Sequence, residues 1–377
     1  MTDQEILYTM ALTMALRPYS KHQRTLLEVL GSAAEIFENR RDLSRRALPI
    51  SERMADALST MGQLLPRCEQ EMAYAQHHNI RITTIQDAEH DPTRLAQCDD
   101  APLIIYTLGP ANLNSTRIVS IVGTRRCTER GRDLCIELVR SLAEQSLDTL
   151  IVSGLAYGID VAAHRAALST GIPTVGVLAC GLDEIYPRTH RSVAIEMLQR
   201  GGLVTEFMSH TNLDKVNFLQ RNRIVAGLAD ATVIVESPLR GGSLNTARLA
   251  NDYHREVFTF PGRPSDPQSE GCNLLIRRNN AVLLTSARDL LTDLGWQRDE
   301  ALFENEESLQ GTLFPELSFE EHSIVAALKS SDGELSASDL AARMDMAVYK
   351  ITPLMLGLEM KGVVKILPGG RFHLCWS

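Results

Sequence analysis

Two spacings of apolar residues divide the chain. Through residues 1–80, apolar positions recur three and four apart, as in Thr25-Leu-Leu-Glu-Val-Leu-Gly31 and Met54-Ala-Asp-Ala-Leu-Ser-Thr-Met61. That spacing gathers side chains on one face of a helix, so this part predicts a small helical bundle. Residues 78–85 and 102–108 then read as strands leading into the middle of the chain.

From Ile118 to Leu294 the pattern becomes apolar run, small-residue turn, helical segment, repeated. The runs are Ile118–Gly123, Thr149–Gly154, Thr174–Ala179, Leu203–Glu206, Ala231–Glu236, Val257–Pro261 and Ala281–Leu284. This alternation predicts an α/β fold, a parallel sheet with helices on both faces. Four runs end in glycine-containing turns: Gly123-Thr-Arg-Arg, Ser153-Gly-Leu-Ala-Tyr-Gly, Cys180-Gly-Leu-Asp and Arg240-Gly-Gly-Ser. Parallel strands put all such turns on one carboxyl edge, so the four are expected to converge on a single rim.

After residue 295 an acidic connector of low periodicity, residues 296–317, reads as a linker. The tail, residues 318–377, carries three helical segments, the second opened by Ser336-Ala-Ser-Asp339, and a two-stranded ribbon around Pro368-Gly-Gly370. That order suggests a winged-helix module, a fold that serves nucleic acid or protein contacts. A length of 377 residues fits two or three domains, and 44% hydrophobic with 23% charged residues is a globular composition. The uncharged run Ile6–Leu16 is too short to span a bilayer, so a cytoplasmic protein without a membrane partner is expected. Seven scattered cysteines without a C-x-x-C pair signal neither a disulfide framework nor a zinc site.

The net charge of −9 argues at first against a nucleic-acid partner, but the charge is segregated. Residues 296–335 hold ten acids and two bases, while residues 112–295 hold twenty bases, nineteen of them arginine. Arginine suits bidentate phosphate contact and stacking on bases.

A dinucleotide site needs G-x-G-x-x-G after the first strand, and an ATPase cradle needs G-x-x-x-x-G-K-[ST]; neither is present. What remains is backbone amides at helix starts, where the dipole favours anions. Ser153, Gly154 and Gly158 let main chain approach a phosphate, with Thr124, Arg125 and Arg126 projecting from the first turn after Gly123. Gly241, Gly242 and Ser243 add a further turn. Asp160 fits the stabilising first-turn acid of its helix better than a catalytic one, and His164 fits a hydrogen-bonded core residue. In Phe218-Leu-Gln-Arg-Asn-Arg-Ile-Val-Ala226, the residues Phe218, Arg221, Asn222 and Arg223, with Lys215, form a stacking platform of the kind single strands use. Pairing of individual arginines with Glu206 or Glu236 is the competing arrangement. No catalytic residue, metal ligand or cofactor is assigned.

In order along the chain, Val122-Gly-Thr-Arg125, Ser153-Gly-Leu-Ala-Tyr-Gly-Ile-Asp160, Cys180-Gly-Leu-Asp-Glu-Ile-Tyr-Pro187 and the helix from Phe218 to Leu228 resemble the DNA processing protein A (DprA, or Smf) family. So do Gly242-Ser-Leu-Asn-Thr-Ala247, Arg255-Glu-Val-Phe258, Pro261-Gly262 and Gly271-Cys-Asn-Leu-Leu-Ile276. The match is strong over residues 80–295. It implies an extended Rossmann-like domain binding single-stranded DNA, a sterile-alpha-motif-like helical domain before it, and no enzymatic reaction. It also implies protection of incoming strands in natural transformation, loading of the RecA recombinase, and a homodimer joined through the Rossmann domain. By motif position Gly123, Arg125, Lys215 and Phe218 would touch DNA. Two departures are Gly241-Gly-Ser243 in place of Ser-Gly-Ser, and Asp91-Pro92 in place of Tyr-Pro.

A rival is a nucleotide-acting enzyme resembling the lysine-decarboxylase-like phosphoribohydrolases. Their P-G-G-x-G-T-x-x-E loop carries an acid, whereas here Gly242-Ser-Leu-Asn-Thr246 is followed by Ala247-Arg-Leu-Ala-Asn251, with none. In the connector, Gln310-Gly-Thr-Leu-Phe314 resembles the peptide that docks on sliding clamps.

Overall fold

The computed structural model describes residues 2–17, 20–43, 50–87, 92–145, 148–296, 317–329, 331, 334–344, 346–361, 363–367 and 371–374. The acidic connector from residue 297 to 316, the clamp-like Gln310–Phe314 and Asp91 lie outside them.

One compact unit ends at Trp296. At its centre is a nine-stranded sheet of β1 (Arg81–Thr84), β2 (Ile104–Leu108), β3 (Arg117–Val122), β4 (Thr149–Ser153), β5 (Thr174–Val177), β6 (Gly202–Thr205), β7 (Ala231–Ile234), β8 (Glu256–Thr259) and β9 (Val282–Leu283). The spatial order is β1-β2-β6-β5-β4-β3-β7-β8-β9. All seven runs expected between residues 118 and 284 are strands. They pair in parallel from β6 across to β9.

Alternation along the central strands explains the layers. Ile118 and Val122 of β3, with Leu150 and Val152 of β4, face one hydrophobic core; Val119, Ile121 and Ile151 face another. The first core is covered by α10 (Lys215–Gly227), α11 (Ser243–Asp252) and α12 (Glu270–Arg277), through Ile224, Ala247 and Cys272. The second is covered by α7 (Glu129–Glu144), α8 (Ile159–Thr170) and α13 (Ala287–Asp293), through Leu138, Ala163 and Leu290. Small residues along α8 let it lie close to the sheet: Ala162, Ala163, Ala166 and Ala167 are all buried. A short helix α9 (Arg191–Met197) flanks β5 and β6.

Strands β1 and β2 do more than lead into the sheet. Both belong to it, β2 antiparallel to β6 and β1 antiparallel to β2. The preceding helices are α1 (Asp3–Ala15), α2 (Ser20–Leu30), α3 (Ala33–Asn39), α4 (Glu52–Ser59) and α5 (Met61–His77), with a one-turn α6 (Thr93–Ala96) between β1 and β2. Their core, with Met10, Leu12, Ile36 and Leu58, continues into Ile104 and Tyr106 of β2. The helical start thus shares a core with the antiparallel edge of the sheet.

A second unit contains helices Phe319–Lys329, Ala337–Met344 and Val348–Met360. It also has a three-stranded antiparallel sheet: to the expected ribbon, β11 (Val364–Leu367) and β12 (Arg371–Leu374), it adds β10 (Glu334–Ser336) beside β12. Ser336 caps its helix as the sequence suggests, accepting from Asp339 N at 3.2 Å. Its core is apolar, built on Ile324, Leu340, Ile351, Met355 and Phe372.

Candidate nucleic-acid interface

Strand order reverses between β3 and β7, because the chain after β3 winds one way through β4, β5 and β6 and later returns on β3's other side as β7. Such a switch point leaves a crevice at the carboxyl ends of the strands. The turns after β3, β4, β5 and β7 all open on that edge.

The first turn is tied to both neighbours. Thr124 N donates to Glu236 O at 2.8 Å, just past β7, and Ile159 N, at the start of α8, donates to Thr124 O at 3.3 Å. A side chain at Gly123 would put its Cβ 2.9 Å from Glu236 O. The Glu236 carboxylate is buried, accepting from Thr128 N at 2.8 Å and Thr128 Oγ1 at 2.5 Å. Thr128 in turn caps α7 through Gly131 N. With its ends pinned, the turn leaves Arg125 and Arg126 exposed.

In the second turn Gly158 has φ +78° and ψ −123°, a backbone conformation that L side chains rarely adopt. Its position against Thr124 O and the Arg125 backbone binds the first two turns into one surface. Gly154 lies against the guanidinium of Arg221, which leaves no room for a Cβ. Asp160 is buried in the first turn of α8 and accepts from Ala156 N at 3.4 Å. Burial raises its carboxyl above the ordinary range, with Arg221 pulling it back down. Burial likewise lowers the Arg221 guanidinium, opposed by Asp160 and reinforced by Arg125. An arginine and an aspartate therefore lie beneath the glycine turn and leave its outer side to backbone.

Helix α10 supplies the far wall. Asp214 caps it through Val216 N at 3.0 Å, and positions 215, 218 and 222 fall on one face by the three-and-four spacing. Lys215 is exposed, Phe218 and Asn222 half-buried. The Arg125 guanidinium stands 5.3 Å from the Phe218 ring centre, within cation–π range. The ring of Tyr186, 42% exposed, meets Phe218 edge-on at 5.5 Å.

Several expected contacts do not reach the rim by their side chains. Arg223 points to the opposite side of α10, into a buried ion pair with Glu206, which is the competing arrangement for that residue. Arg221 is 4% exposed and serves as the support just described. Ser153 is fully buried, its hydroxyl donating to Ile121 O at 2.6 Å inside the sheet. Ser243 is buried too, bonded to Ser237 Oγ at 2.8 Å. Gly241 turns the chain through its N–H to Pro238 O, and at Gly242 open space remains where a Cβ would be. His164 is fully buried, with Nδ1 2.7 Å from Thr174 Oγ1.

Tyr186 and Tyr157 are the residues that sequence reasoning passed over. Tyr157 is 45% exposed beside Gly158, stacked edge-on against His190. Both lie within motifs quoted for their glycines, and the available signal was an aromatic inside a polar, glycine-rich turn. Among the described residues no group of three His, Cys, Asp or Glu could hold a metal ion, and no helix is long and apolar enough to cross a membrane.

The edge thus gathers two exposed arginines, a lysine, three aromatic rings and two close-packed backbone turns. A model of the DNA recombination-mediator protein A family matches residues 81–295, the whole sheet with its turns. A putative DNA processing protein DprA of Mycobacterium tuberculosis is 36% identical over 278 residues, 73% of this chain and 70% of that one. Protein Smf of Escherichia coli is 33% identical over 79% of this chain and 78% of its own. DNA processing protein A of Helicobacter pylori, solved in work on its single-stranded DNA binding mode, is 32% identical with a TM-score of 0.52, covering 58% of this chain and 96% of that one. DprA of Streptococcus pneumoniae gives a TM-score of 0.57 at 30% identity, over 68% of this chain and 90% of its own. By fold, ordered motifs and sequence, the chain belongs to the DNA recombination-mediator protein A (DprA/Smf) family.

Proposed function

We propose that the protein is a recombination mediator that binds single-stranded DNA along the carboxyl edge of its sheet and performs no reaction on it. The observation that carries this reading is Arg125 lying over Phe218, with Tyr186 at the ring's edge and Lys215 one turn earlier on α10. Guanidinium and ammonium groups hold phosphates, and rings stack on bases of any identity, so affinity is strong and sequence-tolerant. Arg126, Thr124 and the backbone from Gly154 to Gly158 extend the phosphate-facing side, with Gly242 at the far end. The family's relatives, one of them studied for single-stranded DNA binding, support the same assignment.

The absence of chemistry is supported by the carboxylates near the rim. Glu236 is buried under the Thr128 cap and Asp160 is buried beside Arg221, so neither is free to face a ribose. Loading of the RecA recombinase, protection of strands in natural transformation, a homodimer joined through the α/β unit and a cytoplasmic location belong to the same proposal, on the strength of the family resemblance. The second unit, with its winged-helix order of elements, is proposed as an accessory contact module. Docking on a sliding clamp through Leu313 and Phe314 is a separate proposal from the connector sequence.

Fluorescence anisotropy with matched single-stranded and duplex oligonucleotides tests the main reading. Single strands bind more tightly; Phe218→Ala loses roughly 1–3 kcal/mol, the value of one base stacked on a ring. Equal affinity for duplex, or release of free base from nucleoside monophosphates, would overturn it.

A further inference from the structure

Helices α7 and α8 lie side by side over the second core, and between them runs a groove of about 390 Å³. One end of it is Gly158, the residue packed against Thr124 O and the Arg125 backbone, so the groove begins where the rim's first two turns meet. From there it follows α8 away from the rim as far as Ser169, with Arg132 and Ile136 of α7 on the facing wall. Gly158 to Ser169 is about 16 Å of helix at ~1.5 Å per residue.

The sequence accounts for its shape and its charge. Val161, Ala162 and Ala166 are buried and make a low floor. Along α8 from Ile159 to Ala167 the one exposed side chain is Arg165, about 10 Å along the helix from Gly158. The positions one turn from it are Val161, Ala162, Leu168 and Ser169, none of them an acid that could pair with it. Arg132 is likewise exposed. The acids of α7 lie elsewhere: Glu129, Asp133 and Glu137 line a separate hollow with Arg130 and Leu134, and Glu137 accepts from Arg140. Among the described residues neither Arg132 nor Arg165 is held in an ion pair, and no carboxylate lines the groove.

Charge and shape together select the occupant. Two unopposed guanidiniums favour phosphate oxygens, which they can hold through paired N–H groups. A floor of Val161, Ala162, Ala166 and Ile136 accepts sugar carbons and offers no ring for a base to stack on. A channel of this length, joined to the rim at Gly158, fits an extended polyanion better than a compact ion. Contacts to phosphate and sugar carry no sequence information, in keeping with a sequence-tolerant rim.

We infer that a strand bound at the rim continues past Gly158 into the groove between α7 and α8, where Arg132 and Arg165 each hold a backbone phosphate. This rests on the reading of the rim as a single-strand site and adds a second segment to it.

Fluorescence anisotropy of the full chain with oligothymidylates of increasing length tests the extension. Wild-type affinity should rise with length until the groove is filled. Arg132→Ala combined with Arg165→Ala should leave the shortest bound strand unaffected and weaken the longer ones, with a log–log salt slope shallower by about 0.7 per arginine. Arg132→Lys with Arg165→Lys, which keeps both charges, should recover most of the loss. Both side chains are exposed, so the urea midpoint should not move. Arg130→Ala, in the other hollow of α7, controls for overall charge and should leave the gain with length as in wild type. Wild-type affinity for long strands in the double alanine variant, or equal losses for short and long strands, would overturn the inference. Short strands that wild type binds and Arg125→Ala weakens keep the rim whatever the groove variants do; no binding at any length would refute rim and groove together.

Discussion

Gly158→Ala is the substitution whose consequence follows most directly from the geometry. At φ +78° and ψ −123° an alanine is strained wherever its side chain points, at about 1–3 kcal/mol. Its Cβ would also stand 2.8 Å from Arg125 C and 2.9 Å from Arg125 Cα, and closer still to Thr124 O. These are backbone atoms, which cannot swing aside as a side chain would, so overpacking adds roughly another 1–3 kcal/mol. The expected loss is about 3 kcal/mol or more, read as a shift in the midpoint of urea unfolding at unchanged slope. Relief by pushing the first turn outward carries Arg125 away from Phe218, so single-strand affinity falls as well, measured by anisotropy under conditions where the variant is folded. Gly154→Ala differs, because the atoms its Cβ meets are the guanidinium of Arg221 and not backbone. Pushing that buried cation away from Asp160 is expected to cost stability as well as binding. A Gly158→Ala protein within ~0.5 kcal/mol of wild type and with full affinity would refute the view that the two turns are one rigid surface.

Two further substitutions probe the supports. Arg223→Ala strips one partner from the buried pair with Glu206 and is expected to destabilise by about 3–5 kcal/mol, with single-strand affinity unchanged once the protein is folded; a selective loss of affinity would return Arg223 to the rim. His164, held down to about 3 by burial from an ordinary 6.5, stays neutral in the fold while the unfolded chain takes up a proton. Its contribution is therefore complete above pH 6.5 and is lost as pH falls from there toward 3, by up to ~1.4 kcal/mol per pH unit. Asp160, raised from 3.8 by burial, acts in the opposite sense, its ionisation weakening the fold as pH rises through its raised value. Urea midpoints between pH 7 and pH 4 should flatten in His164→Gln, and an unchanged slope would contradict the assignment.

The parallel sheet was legible because its strands are continuous apolar runs ending in glycine turns, and strand direction then puts those turns on one edge. The candidate site was legible where exposure follows from local pattern: Arg125 and Arg126 lie in a turn with pinned ends, and Lys215 and Phe218 share a helix face. Arg221 and Arg223 were not separable by spacing. Two residues apart on α10, they point into different surroundings, and only the positions of Gly154 and Glu206 in space assign each its partner. Ser153 reads as a phosphate ligand in a glycine-rich motif, yet the last residue of a central strand is already inside the sheet. The membership of β1 and β2 in that sheet was hidden for a related reason, since antiparallel edge pairing through β6 joins residues about a hundred positions apart.

The central claim is that the rim holds a strand by its phosphates. The direct measurement is single-strand affinity against salt concentration for the wild type and for Arg125→Ala. Wild type should lose affinity with a log–log slope of about −0.7 per phosphate contacted, and Arg125→Ala should bind more weakly with a slope shallower by about 0.7. An affinity indifferent to salt, or a slope that the substitution leaves unchanged, would contradict it.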